Sequence, residues 1–148
     1  MENQHRCYLL IGDESAWKVA INNQIWGFSE RNMGLWKTSQ IGDFAAFYVT
    51  SPIKKIIGFG RIKGKFSDEN IVWSDEKFFK RPIWKYKMKL DIFHVIKNWS
   101  EGLRPPENMM LNIGRKVVPE EIFKDLIRSG DKKWGTNLFQ GIYHKSKF

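Results

Sequence analysis

The clearest hydrophobic pattern in the chain is an alternation over residues 84–93, WKYKMKLDIF. Apolar side chains occupy every second position from Trp84 to Ile92, and most of the positions between them are lysines. A period of two over this length predicts a β-strand with one buried and one solvated face. The solvated face belongs to a longer basic stretch, because residues 77–97 contain seven basic residues and one acidic residue.

Two interpretations of this basic stretch are open. Lysines protect the edge strand of a sheet from unwanted pairing, so the row can be a purely solubilising edge. Alternatively, the same side chains contact the phosphates of a nucleic acid. The candidate phosphate-binding residues are Lys77, Lys80, Arg81, Lys85, Lys87 and Lys89.

Shorter patterns predict further strands and two helices. Apolar runs predict strands over residues 6–11, within 41–50, over 56–62 and within 103–117. A helix is predicted over residues 12–23, where Asp13 can cap the first turn and an apolar face follows. The second helix, over residues 119–130, is expected to end at Gly130.

These elements predict the fold class. Short strands joined by hairpin-type turns and accompanied by few helices indicate an α+β fold with a curled, mostly antiparallel sheet. The length of 148 residues suits one domain, so residues 1–148 are expected to form a single unit. The C-terminal tail, residues 131–148, keeps too many large apolar side chains for a free segment, so we expect it to pack on the domain.

Composition narrows the class of partner. The net charge is +9, seven residues are tryptophan, and aromatic residues make up 15% of the chain. Basic and aromatic residues together favour nucleic acid, because phosphate attraction and base stacking need both types. No apolar run approaches the ~20 residues of a membrane helix, and the N-terminus lacks a signal-peptide stretch. With a single cysteine, Cys7, these features predict a cytoplasmic protein without a membrane partner.

Patterns typical of catalysis and metal binding are sparse. The histidines His5, His94 and His144 are scattered, and one cysteine cannot supply zinc-ligand spacing. Cys7 lies in an apolar strand, which indicates a buried filler rather than a nucleophile. We therefore predict a binding module with no metal and no cofactor. The alternative is a nucleotide-processing or nucleic-acid-modifying enzyme built on dispersed carboxylates.

Three tryptophans stand among polar residues of the kind found in loops: Trp26, Trp36 and Trp73. The segment 24–36, QIWGFSERNMGLW, has the composition of a surface loop. Such rings are either lids on the core, since tryptophan is largely buried on average, or walls that stack on a flat base. By contrast, Trp17 and Trp84 fall on apolar stripes and are predicted to lie in the core.

A recognisable order of features runs through about residues 6–130. A helix ends just before IW-G, a GD turn enters a strand, a GFGRI strand follows, VW precedes the basic strand, and IGR with PEE leads to the last helix. This order resembles the EVE family of the PUA-like superfamily, which is similar to YTH domains. The resemblance implies a PUA-like pseudobarrel of about five or six mostly antiparallel strands flanked by helices.

The resemblance also implies a binding site. In YTH domains an aromatic cage holds a methylated base, and by position its walls correspond to Trp26 and Trp73. Candidates for a third wall are Trp36, Phe78 and Trp84. Contacts to the edge of the base are expected from Asp13 or Ser15, at the start of the first helix, and from the backbone N–H of Gly27. The expected partner is a nucleic acid, either DNA or RNA, that carries a modified base.

The cage makes a prediction that differs from that of a core lid. If Trp26 and Trp73 only line a pocket, replacing either ring with alanine should remove binding and leave the fold standing. If both rings belong to the core, truncation should instead cost about 3–5 kcal/mol of stability.

Overall fold

The computed structural model describes residues 5–106 and 117–143. The strands in these ranges are β1 (Cys7–Gly12), β2 (Ile25–Phe28), β3 (Phe44–Val49), β4 (Lys55–Ser67), β5 (Tyr86–Val95) and β6 (Val117–Val118). The helices are α1 (Glu14–Asn23), α2 (Gly34–Thr38), α3 (Ser74–Phe79), α4 (Glu120–Trp134) and α5 (Leu138–Tyr143). None of these helices is long and apolar enough to cross a membrane.

The six strands form one sheet in the order β2-β5-β4-β3-β1-β6. β1 runs parallel to β3, and every other neighbouring pair is antiparallel. Register shifts interrupt the pairing of β4 with both of its neighbours, and such irregularities bend a strand and increase its twist. The sheet curls into a half-barrel, which confirms the predicted α+β class with a curved, mostly antiparallel sheet.

The sheet separates two hydrophobic cores, because successive side chains of a strand point to opposite faces. Along β1, Tyr8 and Leu10 enter one core, whereas Cys7 and Leu9 enter the other. The first, which we call the α1 core, contains Trp17 of α1. The second, the α4 core, is covered by α4 and by side chains of α5.

The start of α1 follows its local sequence signal. The Asp13 carboxylate accepts a hydrogen bond from the backbone N–H of Ala16 at 2.7 Å, and this satisfies one of the free donors of the first turn. The helix ends at Asn23, and Gln24 follows in the left-handed conformation. The predicted helix and its cap are therefore confirmed.

The loop predicted over residues 24–36 is wrong, because this segment contains β2, a 3₁₀ turn over Glu30–Asn32 and α2. Trp26 lies on β2 and pairs with Met88 of β5. The sequence does not predict this strand, because it has only four residues and because pairing with β5, at an edge of the sheet, stabilises it. Helix α3 was also not predicted, since its sequence begins with polar residues that resemble a surface turn.

Helix α4 extends beyond the predicted end at Gly130 and continues to Trp134. Gly130 is buried, and a β-carbon there would lie 3.0 Å from the Trp134 ring and 3.4 Å from the Phe59 ring, so this glycine serves packing. Gly135, with a φ of 70°, ends the helix instead. In the tail, α5 packs on the α4 core. Residues 107–116 and 144–148, which include His144 and most of the strand region predicted within 103–117, lie outside the described residues.

Candidate functional site

A cavity of about 740 Å³ opens between the start of α1, strand β2 and the start of α3. Its volume lies in the range of small-molecule binding sites. Three tryptophans line it, namely Trp26, Trp73 and Trp84. Its polar side chains are Asp13, Ser15, Arg31, Asn32, Ser74 and Asp75. An apolar wall of aromatic rings with polar groups beside it suits a flat ligand that has hydrogen-bonding edges.

Trp26 is both a cavity wall and a member of the α1 core. One face of its ring stacks on Trp17, with centroids 4.2 Å apart and planes at 20°, so that face is not available to a ligand. The tip of the ring reaches Gly12 at the end of β1, where a β-carbon would lie 2.3 Å from it. Gly12 has no side chain and therefore leaves room for the Trp26 ring in this position.

Trp73 is held against the backbone of β2. Its indole N–H donates to the carbonyl of Ala16 in α1 at 3.2 Å. A β-carbon at Gly27 would lie 2.9 Å from the Trp73 ring and 2.7 Å from the Cβ of Trp84. Gly27 thus lets the two rings approach the strand. With 7% of Trp26 and 3% of Trp73 exposed, these rings are core and cavity wall at once, so the predicted distinction between the two roles is wrong.

Trp84 precedes β5 instead of lying within the strand, and it is half-buried. Its indole N–H donates to both carboxylate oxygens of Asp75, at 2.9 and 3.1 Å. The ring therefore belongs to the cavity as well as to the margin of the α1 core.

Glu76 fixes the segment that carries Trp73 and Trp84. Its fully buried carboxylate accepts four backbone hydrogen bonds, from Val72 and Trp73 on one oxygen and from Ile83 and Trp84 on the other, at 2.8–3.0 Å. Burial raises the pKa of Glu76, but the four donors outweigh this effect, so the pKa lies below its ordinary value. Sequence reasoning missed this residue, although a glutamate three positions after Trp73 has capping-box spacing.

The predicted base-edge residues lie at the cavity. Asp13 and Ser15 are exposed at the start of α1, and the Ser15 hydroxyl is 3.3 Å from the hydroxyl of Ser74 across the opening. Gly27 lines the same cavity from β2. Sequence reasoning missed Ser74 and Asp75, which reach the cavity only because α3 begins there.

Two candidates for a third wall do not line the cavity. Trp36 packs on Tyr86 with a centroid distance of 5.1 Å, and its indole N–H donates to the carbonyl of Lys87 at 2.8 Å. Phe78 projects from α3 with 78% of its surface exposed. Of the three candidates, the structure brings only Trp84 to the cavity.

Lys87 is not on a solvated face, and the prediction that it contacts phosphate is wrong. Only 1% of it is exposed, and its ammonium bonds to the Asp68 carboxylate and to the carbonyl of Asn70. The turn after β4 covers this side chain, which the alternation of β5 cannot reveal. Burial raises the pKa of Asp68, yet the hydrogen bonds from Lys87 and Asn70 bring the net pKa below its ordinary value.

The other predicted basic residues are more accessible. Lys77, Lys80, Arg81 and Lys89 are exposed, and Lys85 is half-buried. No ion pair joins any of them to an acidic side chain within the described ranges. They remain candidates for phosphate contacts, with Lys77, Lys80 and Arg81 grouped on and just after α3.

The titratable side chains of residues 5–106 and 117–143 do not gather into a metal site. No cluster of three or more His, Cys, Asp or Glu side chains is placed to hold a metal ion in the part of the chain that the structure describes. Cys7 is buried, as predicted, and burial raises its pKa to about 12. His5 lies 3.6 Å from Asp43, and His94 packs beside Trp134, so neither lines the cavity.

No protein-family model and no curated protein matches the sequence. Among solved structures, the chain is similar to the YTH domain of the Zygosaccharomyces rouxii MRB1 protein in complex with N6-methyladenosine RNA, with 11% identity, coverage of 87% of this chain and 88% of that chain, and a TM-score of 0.55.

Two further solved structures are similar to the chain over most of its length. The YTH domain-containing protein mmi1 in an RNA complex has 13% identity, coverage of 90% of this chain and 88% of that chain, and a TM-score of 0.59. A mutant form of the ASCH protein from Zymomonas mobilis has 11% identity, coverage of 83% and 95%, and a TM-score of 0.50. At these identities the likeness establishes the fold, and the chain has the fold of YTH domains.

Proposed function

We propose that this protein is a non-catalytic module that binds a modified, methylated base of a nucleic acid in the cavity. The observation that carries the proposal is the convergence of Trp26, Trp73 and Trp84 on one cavity that also has polar side chains. The fold likeness supports it, because the similar YTH domains include two solved with RNA, one of them containing N6-methyladenosine. We also propose membership of the EVE family, whose markers the sequence resembles.

Stacking on the cavity rings and contacts to phosphates can together offset the cost of moving a base out of its stack. Moving a base out of its stack costs a few kcal/mol in a duplex and less in a single strand. Each aromatic contact with the base contributes about 1–3 kcal/mol, and a methyl group with partial positive charge adds attraction to the ring faces. Asp13, Ser15 and the backbone of Gly27 are the proposed partners of the base edge. Exposed basic residues such as Lys77 and Lys89 supply the remaining attraction to phosphates.

An enzymatic role finds less support at this cavity. Asp13 caps α1, and Asp75 accepts from the indole of Trp84, so both cavity carboxylates serve local structure. Cys7 is buried in the α4 core, and a thiol with a pKa of about 12 is a poor nucleophile because the thiolate is the reactive form. The proposed function is therefore binding. Turnover of a nucleotide substrate that is lost on replacing one cavity residue would assign the protein to the enzymes instead.

The test compares conservative tryptophan variants, because truncation to alanine would disturb the α1 core. We propose Trp26→Phe and Trp73→Phe, with Trp36→Phe as the matched control outside the cavity. Binding is measured with short RNA and DNA strands that carry N6-methyladenosine, 5-methylcytosine or no modification. The two cavity variants should lose about tenfold in affinity for the preferred modified strand, since part of one stacking contact disappears. The Trp36→Phe protein should bind as the wild type does.

Two results would contradict the proposal. A wild-type protein that binds modified and unmodified strands equally has no modified-base site. Equal losses in all three variants, accompanied by equal losses of thermal stability, would indicate that the rings act only through the fold.

A further inference from the structure

Two aromatic side chains on α3 are exposed beside the cavity. Phe78 is 78% exposed and Phe79 is 57% exposed, and their rings form an edge-to-face pair with centroids 5.0 Å apart and planes at 88°. Adjacent phenylalanines with this exposure are unusual on a soluble domain, where large apolar groups are mostly covered. An edge-to-face pair leaves at least one ring face free to stack on another flat group.

The position of the pair relates it to the cavity. Ser74 and Asp75, in the first turn of α3, line the cavity, and Phe78 follows one turn later on the same side of the helix. One helical turn is about 5.4 Å, a distance that a neighbouring nucleotide can span once its base has left the stack. Lys77, Lys80 and Arg81, which are exposed as well, are close neighbours of the two phenylalanines in the sequence.

We infer that Phe78 and Phe79, with Lys77, Lys80 and Arg81, form a stacking platform for the nucleotide next to the one held in the cavity. This inference rests on the proposed function and specifies its ligand. The ligand is a single strand, because a base can stack on these rings only when it is not paired within a duplex. The phosphate between the two bases would meet the cations beside the rings.

Charge and helix length favour a nucleic acid over other occupants of this platform. Basic residues that flank exposed rings complement a chain of phosphates with unstacked bases. A membrane-binding helix needs an extended apolar face, whereas α3 has only six residues. Self-association through the two rings would bring like charges of Lys77, Lys80 and Arg81 together, which is unfavourable.

The test varies the length of the ligand. The probes are N6-methyladenosine 5′-monophosphate, a short single-stranded RNA with one central N6-methyladenosine, and the same RNA without the methyl group. The variants are Phe78→Ala combined with Phe79→Ala, and Ile41→Ala as a control at an exposed apolar residue in the turn before β3. The double variant should bind the strand about tenfold or more weakly, because the stacking contact with the neighbouring base is lost. Its affinity for the monophosphate, and all affinities of the control, should remain unchanged.

A Lys80→Gly variant separates the effect of losing the charge from the effect of losing folded structure. Lys80 ends α3 in the left-handed conformation at a φ of 58°, which glycine adopts without strain, so this variant should unfold at a higher temperature than the wild type. It should nevertheless bind the RNA more weakly, and the log–log slope of affinity against salt should fall by about 0.7.

The outcomes distinguish the platform from the proposed function. Equal loss for strand and monophosphate, or no loss for the strand, overturns the platform. The platform is also overturned if the double variant loses self-association in analytical ultracentrifugation, or binding to phosphatidylserine vesicles, while its RNA affinity is unchanged. If the wild type binds the methylated and the unmethylated RNA equally, the modified-base proposal fails, while a loss of affinity in the double variant that is confined to the strand still supports the platform.

Discussion

The two faces of the sheet hold their aromatic side chains in different ways. In the α4 core, rings pack on rings: Phe123 meets Phe59 edge-to-face at 5.7 Å and stacks on Phe44 at 5.8 Å. On the other face, Trp26 also stacks on a ring, that of Trp17, but Trp73 and Trp84 depend on polar partners, and all three cavity tryptophans depend on missing side chains. Trp73 bonds to a helix carbonyl, Trp84 bonds to a carboxylate, and glycines admit both rings and that of Trp26.

On the cavity side of the sheet, buried charged side chains fix the position of the chain segment that carries Trp73 and Trp84. Glu76 and Lys87 are both buried, and they hold the segment 68–84 at several points through the backbone and through Asp68. Buried charges add little net stability compared with apolar packing, because leaving water is costly for an ion. Their benefit here is a defined position for Trp73 and Trp84. The α4 core should therefore govern stability, and the polar side should govern the shape of the cavity.

Phe123→Ala provides the largest expected effect on the stability side of the comparison. The ring is completely buried, and its loss leaves a cavity that Phe59 and Phe44 cannot fill. We expect a decrease of about 3–5 kcal/mol in the free energy of unfolding, measured in urea. At a temperature where the variant is still folded, its affinity for the modified strand should match the wild type. A selective loss of binding would show that the two faces are coupled.

Glu76→Gln tests the polar side. A glutamine oxygen can accept two of the four backbone hydrogen bonds, but its amide group faces the other two donors and leaves them unsatisfied. We expect a stability loss of about 2–4 kcal/mol together with weaker binding of the modified strand, since Trp73 and Trp84 lose their common anchor. Arg61→Gln, which breaks the half-exposed pair of Arg61 with Asp91, is the control and should have little effect on either property.

The same carboxylate predicts a dependence on pH. Burial raises the pKa of Glu76, but its four hydrogen bonds bring the pKa below the ordinary value of 4.5. Because the folded pKa is lower than the unfolded one, this stability is fully present above about pH 4.5 and is lost as the pH falls through the folded pKa. Acid unfolding of Glu76→Gln should therefore be less steep below pH 4.5 than that of the wild type. An identical profile would mean that other carboxylates, such as Asp68, dominate.

Local signals explain which parts of the molecule the sequence could predict. The cap of Asp13 and the strand β5 depend on residues close in the chain, and the structure contains both, although β5 buries Lys87 on the face predicted to be solvated. The expectations about Trp36 and Lys87 were wrong because the positions of both side chains depend on residues that are distant in the sequence. Trp36 bonds to a carbonyl 51 residues away, and Lys87 is covered by a turn 19 residues before it. The cavity was predictable in part, because polar flanks marked Trp26 and Trp73, but the role of Gly12 is visible only once Trp26 reaches it.

Gly12→Ala is the most sensitive test of the comparison, because it changes the shape of the cavity by a single methyl group. A β-carbon at Gly12 would lie 2.3 Å from the tip of Trp26, whose other face rests on Trp17, so the ring must tilt or the end of β1 must move. We expect a stability loss of about 1–3 kcal/mol from overpacking, and a fall in affinity for the modified strand that is larger than for the unmodified strand. Gly64→Ala in β4 is the matched control, since its nearest neighbour would be 3.7 Å away at Lys89. Equal changes for both strands in Gly12→Ala would mean that Trp26 supports the fold without touching the base.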